Sequence, residues 1–276
     1  MKVLRTSAFV LVALVILLTA CGPAATEAPT MAPTEVPTMA PTEAPTMAPT
    51  EAPVTGVVCT DPIKVGFITD LTGYLAIYGA HMVPSFMLGM EYATGAAGSA
   101  GSMFDTAEAQ QNDFMLDDCA IQVFLRDDAS TPDTTATVAR ELIEVQGVDV
   151  LVGTVSSAAV ATLQGIAAEN MIPLIVAPGA ANDITGKDFN EYTFRTSRNN
   201  YQDAINECTY LVKQYSTFVQ IAPDYAFGQG SAASFRDACG LGGATFMVDD
   251  IFAPADTTDF TLTWSRSSIL EQKLTS

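Results

Sequence analysis

The 276-residue chain has one histidine, one tryptophan and only 12 Lys+Arg against 31 Asp+Glu, a formal net charge of −19. So few cations exclude nucleic acid as a partner, because phosphate neutralisation by Lys and Arg supplies most of that affinity. With His81 as the lone histidine and no two cysteines at ligand-like spacing, no metal site is expected. No stretch ends in the Gly-Lys-Ser/Thr of a phosphate loop, and none reads G-x-S-x-G, the turn that presents a serine nucleophile. Gly228-Gln229-Gly230-Ser231-Ala232-Ala233 fits G-x-G-x-x-A, with Asp249 and Asp250 further on. That fingerprint needs its first glycine at a strand end, whereas "PDYAF" intervenes here, so no cofactor is expected. The excess acid reads as a solvated, self-repelling surface in an exposed compartment.

What is present begins with "MKVLRTSAFVLVALVILLTAC". Lys2 and Arg5 precede an apolar stretch, Ala8 to Leu18, shorter than the roughly 20 residues of a membrane span. The layout predicts a signal peptide over 1–21. Its end, Leu18-Thr19-Ala20-Cys21, resembles a bacterial lipobox, which implies lipidation at Cys21 and an exported, membrane-tethered protein. From Thr26 the text repeats with period eight ("TEAPTMAP"), with proline at every fourth position from Pro29 to Pro53. Proline removes backbone donors and blocks helix and sheet. Residues 22–55 therefore read as an extended linker, with a reach of roughly 100 Å at about 3.1 Å per residue.

Beyond it the chain is 49% hydrophobic overall and patterned for a core. "IKVGFIT", "IQVFL", "VDVLVG" and "IPLIVA" are apolar strand-like runs. Between them, "HMVPSFMLGMEYAT" spaces Met82, Phe86, Met90 and Ala93 at helical intervals, with Pro84 in the first turn or at a bend. "STPDTTATVARELIEV" places Val138, Leu142 and Val145 on one helical face, and "AAVATLQGIAAEN" is a third helix. The alternation predicts an α/β fold with parallel sheets flanked by helices. A second set comes after it: a helix near 200–214, the strand "FVQIA", a helix near 229–239 and the strand "ATFMVDDI". The loop-rich "NDITGKDFNEYTFRTSRNN" reads as the crossing between lobe one, 56–190, and a partial lobe two, 191–276. Residues 95–118 read as a surface-loop insert. Of the three pairings open to the remaining cysteines, Cys59–Cys119 and Cys208–Cys239 are expected. The first pair precedes neighbouring strands and the second lies on helices flanking one strand.

The stretch "LVGTVSSAAV" (151–160) runs a strand into two serines and a helix. A nucleophile needs a base, and His81 is the single candidate, which leaves a serine hydrolase weakly supported. The same junction presents unpaired amides, a helix dipole and serine hydroxyls suited to one carboxylate, with Ser156 as a plain N-cap the simpler alternative.

Four ordered motifs, "IKVGFITDLTGYLAIYGA", "VFLRDDASTPDTTATVARELIEVQGVDVLVGTVSSAAV", "PLIVAPGAANDITG" and "APDYAFGQG", resemble type 1 periplasmic solute-binding proteins. The resemblance is strongest to the branched-chain amino acid (Leu/Ile/Val) group of ABC transporters. It implies two α/β lobes closing over a small ligand, with no catalysis. It also implies that Tyr78 lines a cleft, Ser156 and Ser157 meet a carboxylate, and Gly179 and Ala180 offer backbone groups, their carbonyls facing an ammonium. Tyr225 and Phe227 would close from lobe two. Ala181 stands where amino-acid binders commonly carry a hydroxyl, which argues against an α-amino acid specifically. The family pattern continues past this length, and "LTWSRSSILEQKLTS" departs from it, so a truncation or frameshift near residue 260 is expected. The implied partners are a small carboxylate-bearing solute, an ABC permease and, through the lipid, a membrane. A ligand-sensing ectodomain is the alternative on the same fold.

Overall fold

The computed structural model describes residues 56–98 and 111–261. Cys21, the leader, the proline repeat and the tail bearing Trp264 lie outside the described residues. All the elements named below belong to the unit Val54–Ser276.

Strand β1 (Ile63–Thr69) is the centre of the first sheet, and its last five residues are all buried. Its pleat sends Val65 and Phe67 to one face and Ile68 to the other, and each face meets its own apolar cluster. The Val65/Phe67 face is covered by α1 (Ala76–Thr94), where Phe86 stacks on Phe67 at 4.4 Å. The Ile68 face is covered by α2 (Pro132–Glu141) and α3 (Ser157–Asn170). β3 (Cys119–Asp127) and β4 (Val150–Val152) flank β1 in parallel, and β5 (Leu174–Val176) and β6 (Thr193–Arg195) extend the sheet beyond β4. β2 (Gln111–Leu116) closes the other edge, giving the order β2-β3-β1-β4-β5-β6. The sheet thus takes in part of the "YTFRT" run expected at the crossing between lobes.

Three local expectations need correction. Residues 111–116 are not loop. They form β2, antiparallel to β3, because Asn112 and Phe114 alternate inward and Asp117, at φ 52°, turns the chain tightly. In α1 the buried stripe is Gly79, Val83 and Met87, one residue on from the expected one; Met82, Phe86 and Met90 flank it, Ala93 is exposed, and Pro84 lies in the helix interior. Val145 is 72% exposed although Leu142 is buried, because 142–146 winds as a wider π turn that rotates Val145 off the α-helical face.

After β6 come α4 (Asn200–Leu211), β7 (Thr217–Phe218), β8 (Ile221–Pro223), α5 (Ala226–Leu241), β9 (Thr245–Phe246) and β10 (Ile251–Ala253). The expected strands 218–222 and 244–251 are each split into two short pieces, β7 pairing with β9 and β8 with β10. The breaks are polar: Gln220 donates to the Ala232 carbonyl at 3.0 Å and to Asp250, which also pairs with Arg236. α4 opens with a capping box between Asn199 and Gln202. A small core of Ala204, Cys208, Ala238 and Cys239 joins α4 to α5, with Cys208–Cys239 disulfide-bonded. The other disulfide, Cys59–Cys119, ties the segment before β1 to the start of β3. Among the described residues no helix is long and apolar enough to cross a membrane, and no cluster could hold a metal ion.

Candidate functional site

A cleft of about 220 Å³ opens beyond the C-terminal ends of β1, β4 and β5. This is the position at which parallel sheets place ligands, because helix N-termini and loops converge there. One wall comes from the loop after β1 and the start of α1, with Tyr74, Leu75 and Tyr78. A second is built by Val155, Pro178 and Ala180, from the turns after β4 and β5. The far wall is Pro223, Tyr225 and Phe227 at the entrance to α5, with Arg198 and Ala255 completing the rim. Tyr74 meets Tyr225 edge-on at 6.1 Å, so an aromatic contact spans the cleft, and Tyr225 leans on Phe227 at 5.9 Å. Burial, then the neighbouring Tyr74 and Tyr78, push the Tyr225 phenol upward, so it stays a neutral hydroxyl at physiological pH.

The serine turn lies directly behind Val155. Ser156 is the N-cap of α3 and Ser157 its first residue, and both are buried. The Ser157 hydroxyl accepts the Ala181 N–H at 3.2 Å, fastening α3 to the turn after β5. The Ser156 hydroxyl is fully buried and has no hydrogen-bond partner, which is costly without a compensating ligand. The first helical bond runs from Val160 N–H to the Ser156 carbonyl at 2.8 Å, so the preceding amides of the helix have no partner of that kind. Donors and dipole therefore converge where an anion is stabilised. Neither serine bonds to a histidine. His81 is exposed on α1.

A buried carboxylate network holds these walls in place. Asp70 accepts the N–H groups of Gly73 (2.5 Å) and Leu75 (2.9 Å), fixing the loop that carries Tyr74. The Ser130 hydroxyl donates to Asp70 at 2.6 Å, while the Ser130 N–H donates to Asp128 at 3.0 Å. Asp128 also accepts the Thr154 hydroxyl at 2.7 Å, and the Thr154 carbonyl accepts the Gly179 N–H at 3.2 Å. Burial pushes the Asp128 carboxyl above the usual aspartate range, against the bonds from Thr154, Ser130 and Thr135 that lower it. A carboxyl raised on folding binds its proton more tightly in the folded state. The strain of its charge is therefore present above the raised value and gone below the ordinary 3.8. Thr154→Val removes one donor and is expected to cost about 1–3 kcal/mol at neutral pH. Urea melts should show that cost shrinking as pH falls through the raised Asp128 value, with little of it left below 3.8.

Of the residues singled out in the sequence, Tyr78, Ala180, Tyr225 and Phe227 line the cleft, while Ser156, Ser157, Gly179 and Ala181 stand behind it. Gly179 is there for closeness, since a Cβ would sit 2.7 Å from Val160. The Ala180 carbonyl, expected to face an ammonium, accepts the Asn200 N–H at 2.9 Å. Tyr74 and Arg198 were not anticipated. Tyr74 follows the glycine of "DLTG" at a strand's C-terminal end, a readable signal, whereas the place of Arg198 depends on contacts to Pro178 and Asp203 that the sequence does not show.

A periplasmic binding protein family model matches residues 62–267. A Leu/Ile/Val-binding protein of Rhizobium johnstonii is 25% identical over 196 residues, covering 70% of this chain and 48% of the relative. The crystal structure of an ABC-type branched-chain amino acid transporter from Rhodopseudomonas palustris CGA009 is 35% identical with a TM-score of 0.53, covering 74% of this chain and 50% of that one. An ABC-transporter solute-binding protein from Rhodopseudomonas palustris BisB5, solved with 3,4-dihydroxybenzoic acid, is 25% identical with a TM-score of 0.60, over 76% of this chain and 52% of that one. The chain thus spans about half the length of the relatives it matches. With the two-faced sheet and the cleft at its strand ends, the chain belongs to the type 1 periplasmic binding proteins.

Proposed function

We propose that this chain is the extracytoplasmic solute-binding component of an ABC importer, anchored through a lipid at Cys21. It captures a small carboxylate-bearing solute and passes it to a permease. One observation carries the reading: a buried, unpartnered Ser156 hydroxyl at the open N-terminus of α3, beside an aromatic cleft at the strand ends. In this reading the solute carboxylate completes the hydrogen bonding of that turn, and Tyr78, Tyr225 and Phe227 cover its apolar part. Contacts from both sides of the cleft favour its closure.

The carboxylate belongs to a branched-chain or other amino acid, an amide derivative, or an aromatic acid. The aromatic acid is favoured by the four rings around the cleft and by the dihydroxybenzoate complex of the relative. The test is thermal stabilisation of the full chain across branched-chain amino acids, amides and hydroxybenzoates, since a ligand at 100 times its Kd adds about 2.7 kcal/mol. Ser156→Ala should weaken the bound carboxylate by about tenfold or more, the range of a charge-assisted hydrogen bond. The unliganded melting temperature should hold or rise, because an unpaired buried hydroxyl is removed. An unchanged affinity in this variant would refute the assignment.

A further inference from the structure

Among the described residues Arg198 is the one charged residue lining the cleft, in a chain with few cations to place. Its guanidinium is half exposed and incompletely used. Nε pairs with Asp203 at 3.2 Å, and one terminal nitrogen donates to the Pro178 carbonyl at 3.3 Å. Among the described residues its other terminal nitrogen makes no hydrogen bond. The Pro178 bond puts Arg198 at the turn whose Ala181 N–H is held by Ser157, so the cation and the α3 N-terminus converge on one wall. Arg195, whose pKa is held down by burial and by the Arg198 charge, donates to the Ala181 carbonyl at 2.7 Å and adds positive potential there.

The opposite polarity is missing. Among the described residues no Asp or Glu lines the cleft. The carbonyls on this wall already accept: Pro178 from Arg198, Ala180 from Asn200, Ala181 from Arg195. Of the acids beside the cleft, Asp224 accepts from Gln229 at 2.9 Å and Asp256 is exposed, while Asp70 is held by backbone amides and Asp203 by Arg198 itself. An ammonium bound here would be desolvated beside a guanidinium with no described carboxylate on the lining to receive it, whereas a carboxylate finds a planar donor fork.

We infer that Arg198 is the charge-selecting residue of the cleft: it binds the carboxylate of a solute lacking an α-ammonium group and discriminates monocarboxylate anions from zwitterionic amino acids. This rests on the proposed solute cleft and sharpens it to a ligand class. Asp203 competes for the same guanidinium, so it sets how much of that charge the solute receives.

Calorimetric titration of the full chain with two matched pairs tests it: 4-methylpentanoate against leucine, and 3-phenylpropanoate against phenylalanine. In at least one pair the anion should bind about tenfold or more tightly than its amino acid, the loss expected when a charged group goes unpaired. Arg198→Gln should erase that preference by weakening the anion at least tenfold while changing the amino acid little, and Arg198→Lys should retain part of it. Asp203→Asn should strengthen the anion, an increase that a disrupted fold does not produce. A tighter amino acid in both pairs, or equal losses for anion and amino acid in Arg198→Gln, overturns the inference and leaves the solute cleft standing. No binding of any of the four compounds overturns the inference, and the solute cleft is then decided by the amide and hydroxybenzoate arms of the thermal panel.

Discussion

Replacing Cys208 and Cys239 together by alanine is expected to unfold the α4–α5 region at far lower denaturant than the sheet around β1. The bridge closes a loop of sequence separation 31, and chain-entropy arguments assign such a bridge roughly 3–4 kcal/mol. Little else compensates. The buried apolar cluster between the two helices is Ala204, Cys208, Ala238 and Cys239, two of them the disulfide itself. The strands beside them are two or three residues long and lie in two-stranded sheets. The Cys59–Cys119 bridge spans a longer loop, yet β1 and β3 pair over seven residues between two apolar clusters, so its loss leaves that sheet folded. Urea melts of the two double variants, followed by hydrogen exchange in α5 and in β1, would separate the cases. Equal loss of protection in both regions would show that the molecule unfolds as one unit.

The second large effect is expected at Gly79. A Cβ there would lie 1.6 Å from the Asp70 carbonyl oxygen, a backbone atom at the end of β1. Neither side can yield cheaply: Asp70 is fully buried and its carboxylate holds Gly73, Leu75 and Ser130. Gly79→Ala must push the start of α1 off the sheet, at a cost at or above the about 1–3 kcal/mol typical of overpacking. The displacement also carries Tyr78 away from the cleft, so ligand affinity should fall with stability. Gly89→Ala, in the same helix with nothing within 4 Å, is the control and should be neutral or stabilising. A Gly79→Ala protein with unchanged melting temperature and affinity would contradict this packing.

The first sheet was legible because burial on both faces leaves continuous apolar runs, such as "VGFIT" and "VFL", that only a covered parallel sheet accounts for. β2 was not legible: "QNDFML" alternates, but it sits at the end of a long Gly/Ser/Ala-rich stretch and reads as part of it. Val145 was misplaced because a π turn leaves no mark on a 3.6-residue periodicity. The strands after α4 were found as runs but not as broken runs, since the break depends on Gln220, Arg236 and Asp250 meeting across the fold. At the site, the serine turn was visible from strand, glycine and helix in succession. Arg198 was hidden because its role comes from contacts to Pro178 and Asp203, the first twenty residues earlier in the chain.

Hydrogen–deuterium exchange of the full chain with and without its best carboxylate ligand tests the central claim most directly. Binding at this cleft predicts slowed exchange at residues 153–160, 179–181 and 225–229, with no change in a second groove that Phe218, Phe235 and Phe246 line beside α5. Protection confined to that groove, or none at the serine turn, would contradict it.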